Sequence, residues 1–203
     1  MKLRKLDKDW TGNSKSTFVT LGASNHVNHA RAWLDYYATS PTAITRFLEK
    51  HTIPNMPIWE CSAGECNLVK PLEQAGYKVI TSDIIERREK LDYVEDFLET
   101  TELRAPLILT NPPYKDALPF ILHAIELGAD YVYMFLKTTF LEGQKRHKEL
   151  FSKYPPKEIW VFSAREQCAL NNNEEEFKKS SAASYSWFIW EKDFTGSPTV
   201  HWI

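Results

Sequence analysis

Leu107-Ile108-Leu109-Thr110-Asn111-Pro112-Pro113-Tyr114 decides the reading of this chain. The first four residues are a short apolar run that predicts a buried strand, and Lys115 to Leu127 predicts a helix, so Asn-Pro-Pro-Tyr sits at a strand's carboxyl end. Open α/β sheets bind ligands in the crevice beyond those ends. Proline fixes φ near about −65° and drives the preceding residue into extended backbone, which makes Asn111-Pro112-Pro113 a rigid loop with neither proline N–H available. The loop holds the Asn111 amide and the Pro112 carbonyl as fixed acceptors with the Tyr114 ring beside them, a site suited to a planar group bearing an NH2. Asn-Pro is also a turn signal in its own right, so a plain strand-to-helix connection is the alternative.

Upstream, Pro57-Ile58-Trp59-Glu60-Cys61 predicts a first strand, Ser62-Ala63-Gly64-Glu65-Cys66 a small-residue turn, and Asn67 to Ala75 a helix closed by Gly76. A second strand, Tyr77 to Thr81, ends at Asp83. This is a βαβ unit whose carboxylate falls roughly twenty residues after the turn, where it would face a ribose. The turn lets a ligand approach the backbone, although only Gly64 of a nucleotide fingerprint is present and Cys66 stands where a second glycine is expected. Leu91 to Val94 predicts a third strand, followed by Asp96-Phe97, an acid and an aromatic able to hydrogen-bond and stack an adenine, or else ordinary core.

Ahead of this unit, residues 1–36 are polar and punctuated by turns, and predict an extended arm. Ser40-Pro41 opens a helix carrying Ile44, Phe47 and Leu48 on one face. Beyond the tetrapeptide come a strand Asp130 to Leu136, a long helix through Thr138-Thr139 to Phe151, and strands over Lys157 to Phe162 and Ser184 to Glu191. Residues 163–183, rich in Asn and Glu, read as a mobile loop, and Thr199 to Ile203 as a short edge strand.

Composition bounds the rest. A chain of 203 residues holds one sizeable α/β core, here placed at 37–203, and its 43% hydrophobic and 26% charged content excludes general disorder. The formal charge of −2 announces no global affinity for nucleic acid, so any such contact must be local. Lys145, Arg146 and Lys148, following Gly143, are candidate phosphate contacts, with a solvated helix face as the alternative. Three cysteines without a CxxC or a histidine at ligand spacing argue against a metal site and fit reduced thiols. No apolar run approaches bilayer length and no leader pattern opens the chain, so a cytoplasmic protein is expected.

Taken together, Glu60 to Cys66, Asp83, Asp96-Phe97 and Asn111 to Tyr114 fall in order at successive strand ends. This resembles the class I S-adenosylmethionine-dependent methyltransferases, and within them the amino-methyltransferases that make N6-methyladenine in DNA, in their small bacterial and phage form. The resemblance implies a Rossmann-like α/β fold: a sheet of about seven strands, mostly parallel with one antiparallel, and helices on both faces. It implies S-adenosylmethionine as cofactor, with Tyr37, Thr39 and Pro41 at its methionine end, Glu60, Ala63 and Gly64 at the turn, Asp83 on the ribose, Asp96 and Phe97 on the adenine, and Asn111 at the methyl group. It implies that Asn111, Pro112, Pro113 and Tyr114 are catalytic: the Asn111 oxygen and Pro112 carbonyl accept the N–H bonds of the amine, and Tyr114 stacks on a base flipped from duplex DNA. The departure is Cys66, whose side chain restricts φ and stands to crowd the cofactor. No insertion is long enough for a separate target-recognition segment, which leaves the arm before Tyr37 and the connection Ala164 to Ala183 as candidates. RNA and a protein glutamine amide are alternative acceptors, and a non-catalytic binding module on the same fold is the rival of a different class.

Overall fold

Alternation along the central strands dictates a sheet buried on both faces. In strand β6 (Tyr131–Lys137), Val132, Met134 and Leu136 belong to one apolar cluster while Tyr133 and Phe135 belong to a second. In β5 (Leu107–Thr110), Ile108 faces the first cluster and Leu107 and Leu109 the second. A strand with both faces apolar has no solvent side, and that is the signature of a parallel sheet covered by helices.

The computed structural model describes residues 37–164, 166, 168–170 and 183–203, which fall within one compact unit. The expected arm, 1–36, lies outside the described residues, as do 165, 167 and 171–182 of the expected loop. In chain order, the remaining elements are β1 (Tyr37–Thr39), α1 (Thr42–Leu48), β2 (Ile58–Glu60), α2 (Val69–Gln74), β3 (Val79–Asp83) and β4 (Tyr93–Val94). After β5 come α3 (Ala117–Glu126), β6, the short α4 (Gln144–Arg146), β7 (Glu158–Val161), β8 (Cys168–Leu170), β9 (Tyr185–Glu191) and β10 (Thr199–Trp202).

The main sheet has the order β10-β7-β9-β6-β5-β2-β3-β4. β9 runs antiparallel to β6 and β7, and every other pairing in this sheet is parallel. From β2 the chain builds outward through β3 to β4, then crosses back to place β5 on the other side of β2 and builds outward again through β6. The β2–β5 pair is therefore the topological switch point, where a crevice opens at the carboxyl ends. The ladder sets Ile58 beside Leu107 and Trp59 beside Ile108, so Glu60 and Asn111 leave neighbouring strands at that same end.

Each cluster packs helices onto its own face. Phe120, Ile121 and Ala124 of α3 join the Trp59, Ile108 and Met134 cluster, and Ile44 and Phe47 of α1 join Leu72 of α2 on the other face. Trp187, fully buried in β9, donates its indole N–H to the Ala43 carbonyl at 3.1 Å and so pins α1 to the sheet. Full burial of a side chain of this kind stabilises by roughly 1.5–3 kcal/mol.

The fold matches the expected class, with differences that have local causes. The sheet has eight strands, because β10 adds to β7 at the edge. The expected helix from Thr138 to Phe151 is broken: a 3-10 turn (Thr138–Leu141) gives way at Gly143, whose φ of 115° no helix accepts, before α4 runs into a widened π turn (His147–Phe151). The expected loop 163–183 contains β8, which pairs antiparallel with β1, and Tyr37–Thr39 is thus a strand. Glu166 holds this segment to α1, accepting from Thr42 Oγ1 at 2.8 Å and pairing with Arg46.

Candidate functional site

The turn after β2 is built by two carboxylates at the ends of adjacent strands. Gly64, at φ 56°, turns its backbone N–H onto Asp83 Oδ2 at 2.9 Å, and Ile85 N–H reaches Oδ1 at 3.3 Å. Burial dominates Asp83 and pushes its pKa up in spite of both donors. Glu60 is 2% exposed and accepts from the Ser62 N–H at 3.1 Å. Burial pushes its pKa up to about 8, with the Thr110 hydroxyl and Ser62 N–H opposing and Asp83 adding to the rise. Glu60 therefore carries its proton through most of the neutral range.

Cys66 takes the left-handed conformation of a glycine, with φ 60°, and its N–H closes the turn onto the Ala63 carbonyl at 2.7 Å. Its side chain is 5% exposed and packs with Ala63, Val69 and Leu91. The side chain that the sequence placed toward the crevice thus sits in an apolar cluster. The cost appears as backbone strain of about 1–2 kcal/mol, and burial raises the thiol to about 11.

The loop after β5 is organised around Thr39. The Asn111 Nδ2 donates to Thr39 Oγ1 at 2.8 Å, and Asn67 Nδ2 donates to the Thr39 carbonyl at 3.2 Å. Thr39 is 4% exposed, so these bonds are shielded from water and hold the plane of the Asn111 amide. Pro112 is buried and Pro113 exposed, and the Asp116 N–H closes the turn by donating to the Pro113 carbonyl at 2.8 Å. The half-buried Tyr114 ring has the Lys137 ammonium 5.3 Å from its centroid and the Tyr185 ring at 6.1 Å.

Beyond Tyr114 lies a cavity of about 230 Å³, lined also by Lys115, Phe140, Gly143, Lys145 and Arg146. Two of the three basic residues singled out in the sequence thus stand beside the Tyr114 ring, while the third, Lys148, is exposed outside that lining.

The other expected contacts are placed differently. Phe97 is 1% exposed, edge-on to Trp59 at 5.2 Å and against Phe120 at 4.8 Å; it is a core ring and presents no open face for stacking. Asp96 is exposed and spends Oδ1 on the Leu98 N–H at 2.9 Å, capping a 3-10 turn (Phe97–Glu99). Pro41 is exposed at the head of α1, and Tyr37 is placed by its backbone pairing with Leu170. Sequence reading missed Asn67, Lys137, Tyr185 and Phe140. Lys137 ends β6 next to β5, and Tyr185 is its antiparallel partner, so both arrive at the crevice by register.

No protein-family model and no curated protein sequence matches the chain. Among solved structures, the chain is similar to a dimethyladenosine transferase from Plasmodium falciparum, with a TM-score of 0.52 at 13% identity over 77% of this chain and 63% of that one. The fold is the Rossmann-like methyltransferase fold. A magnesium protoporphyrin IX methyltransferase from Synechocystis is similar at a TM-score of 0.49 and 11% identity, over 74% of this chain and 77% of that one. A Type ISP restriction-modification enzyme, solved with a DNA substrate mimic, follows at 0.42 and 14%, over 82% and 26%. The chain spans less than two thirds of the Plasmodium enzyme, and at these identities the likeness is one of fold.

Proposed function

We propose that this protein is an S-adenosylmethionine-dependent methyltransferase acting on the N6 amine of adenine in DNA. The observation that carries the reading is the Asn111 amide, tied through Nδ2 to the buried Thr39 at 2.8 Å, at the carboxyl end of the switch-point strand. That bond holds the Asn111 amide at the crevice, as a fixed acceptor for an exocyclic N–H must be held.

The crevice residues fit the cofactor. A carboxylate has about four lone-pair sites, so Asp83, after accepting from the backbone of Gly64, Ile85 and Ile84, retains acceptor capacity for a ribose hydroxyl. Cys66 keeps its side chain in the apolar cluster and leaves the turn's outer surface to backbone. When bound, S-adenosylmethionine supplies a methyl group on a positively charged sulfur, open to attack by a nitrogen lone pair.

The chain's own residues then act on the acceptor. The lone pair of an aromatic amine is delocalised into its ring, which makes it a poor nucleophile. Accepting its two N–H bonds with the Asn111 side-chain oxygen and the Pro112 carbonyl draws that lone pair onto nitrogen. The nitrogen would take the methyl group as its bond to sulfur breaks, the electron pair staying on sulfur as a neutral thioether, and one N–H proton would leave to solvent past the acceptor that held it. The prolines hold the acceptor geometry and Tyr114 supplies the stacking face, so orientation and fixed dipoles carry the catalysis without a side chain titrating near neutrality at the loop.

The test is a competition. Labelled S-adenosylmethionine is incubated with equal masses of duplex DNA, RNA and protein extract, and the label is partitioned. Transfer mainly to DNA supports the reading; transfer to RNA or to glutamine amides relocates the acceptor, and binding of cofactor without transfer to any of them favours a non-catalytic module.

A further inference from the structure

Arg146, one of the described cavity-lining cations, is held against both Phe140 and Gly143. Its guanidinium carbon stands 5.0 Å from the Phe140 ring centroid, and on the other side it lies against Gly143, where a Cβ would come within 3.0 Å of Nη2 and 3.2 Å of Cζ. Gly143 at φ 115° is favoured by its backbone conformation, and the absence of a side chain leaves room for the guanidinium to lie close against it.

Held in this way, Arg146 is undercommitted. Among the described residues it has no carboxylate partner; Nη2 makes one long contact of 3.5 Å to the Thr139 carbonyl, and the buried Nε has no acceptor. A buried donor without an acceptor is costly, and an incoming anion removes that cost. Lys115 and Lys145 line the same cavity, engaged only by exposed pairs with Asp116 at 3.7 Å and Glu149 at 3.9 Å, which hold little energy. Among the described residues, three cations and no carboxylate line this cavity, in a chain whose formal charge is −2.

From these features we infer that Arg146 is a phosphate-binding residue that grips the DNA backbone next to the nucleotide stacked on Tyr114, with Lys115 and Lys145 adding unspecific attraction. An anion beside an aromatic stacking face is the chemistry of a nucleotide, and a planar fork donor is suited to a phosphate. A neutral glutamine side chain would leave all three cations unused. The inference rests on the proposed nucleic-acid acceptor and gives it a contact that does not touch the reacting amine.

The test is equilibrium binding of a short adenine-containing duplex at a series of salt concentrations to wild type, Arg146→Gln and Arg146→Lys, with methyl transfer and the unfolding midpoint measured on the same preparations. The expected result is a roughly three- to ten-fold weaker Kd for Arg146→Gln, with the slope of log affinity against log salt reduced by about one. Arg146→Lys should restore the slope without restoring the affinity, since it keeps the charge and loses the fork. Unchanged affinity and slope in Arg146→Gln, while wild type still methylates adenine, overturn the inference and leave the proposed function standing. A wild type that binds no duplex and methylates no adenine overturns both. An equal loss in both variants with a lowered unfolding midpoint assigns Arg146 a structural role and also overturns it.

Discussion

Two loops leave adjacent strands at the switch point, and they are built on opposite principles. The turn after β2 has two residues in left-handed backbone, Gly64 and Cys66, and is tied through the Ser62 and Gly64 N–H groups to carboxylates whose pKa values burial has raised. The loop after β5 is made of prolines in ordinary backbone, and its key side chain, Asn111, has no charge to titrate. One loop stores strain and responds to pH; the other is rigid and indifferent to it. The contrast suits the two tasks proposed for them, holding a charged cofactor by its polar groups and presenting fixed acceptors to a neutral amine.

Substitutions should separate the two loops. The largest effect is expected from Asn111→Ala, which should lower the single-turnover transfer rate by about 10²–10³-fold while cofactor affinity, measured by calorimetry, stays near wild type. At the other loop, Cys66→Val should lower stability by about 2–3 kcal/mol, because a β-branched residue is forced to φ 60°. Cys66→Gly should stay within about 1 kcal/mol of wild type, since relief of strain offsets the lost side-chain packing. Urea unfolding of the two variants checks both values. Next in size, Thr39→Val keeps the shape but removes the acceptor for Asn111 Nδ2, and should slow transfer by about ten-fold, the loss of roughly 1.4 kcal/mol of orientation.

The most diagnostic effect concerns pH. Glu60 has a folded pKa of about 8 against 4.5 for the free side chain, so the folded state holds its proton more tightly than the unfolded state. Its contribution to stability is full below pH 4.5 and is lost as pH rises to about 8. Asp83 is raised as well and acts in the same direction. In Glu60→Gln that part of the slope disappears, so the variant's unfolding midpoint should gain on wild type as pH rises from 5 to 9. A constant difference across that range would place the proton of Glu60 elsewhere.

Much of this arrangement was legible in the sequence, for a physical reason. Asn111, Glu60 and Asp83 sit where a strand's apolar pattern ends, and the parallel order of such strands brings their ends together. The partners that complete the site were not legible. Thr39 meets Asn111 across 72 positions, and Lys137 and Tyr185 meet Tyr114 through the register of β9, which no local pattern encodes. Phe97 shows the limit from the other side: an aromatic after an acid reads alike whether it stacks a ligand or fills a core, and packing against Trp59 and Phe120 decided it. Cys66 is similar, because the destination of its side chain depends on Val69 and Leu91. Gly143 was noted only as a neighbour of basic residues; that it makes room for the Arg146 guanidinium required the fold.

The central claim is that the Asn111–Pro112 acceptors select an exocyclic amine, and the identity of the methylated atom tests it most directly. DNA methylated with labelled S-adenosylmethionine is digested to nucleosides and the labelled product resolved by mass and chromatography. The account predicts a single labelled nucleoside, N6-methyladenine, that is absent when Asn111→Ala replaces the wild type. Label on a ring carbon, a ring nitrogen or a sugar oxygen, or undiminished N6 labelling by Asn111→Ala, would contradict it.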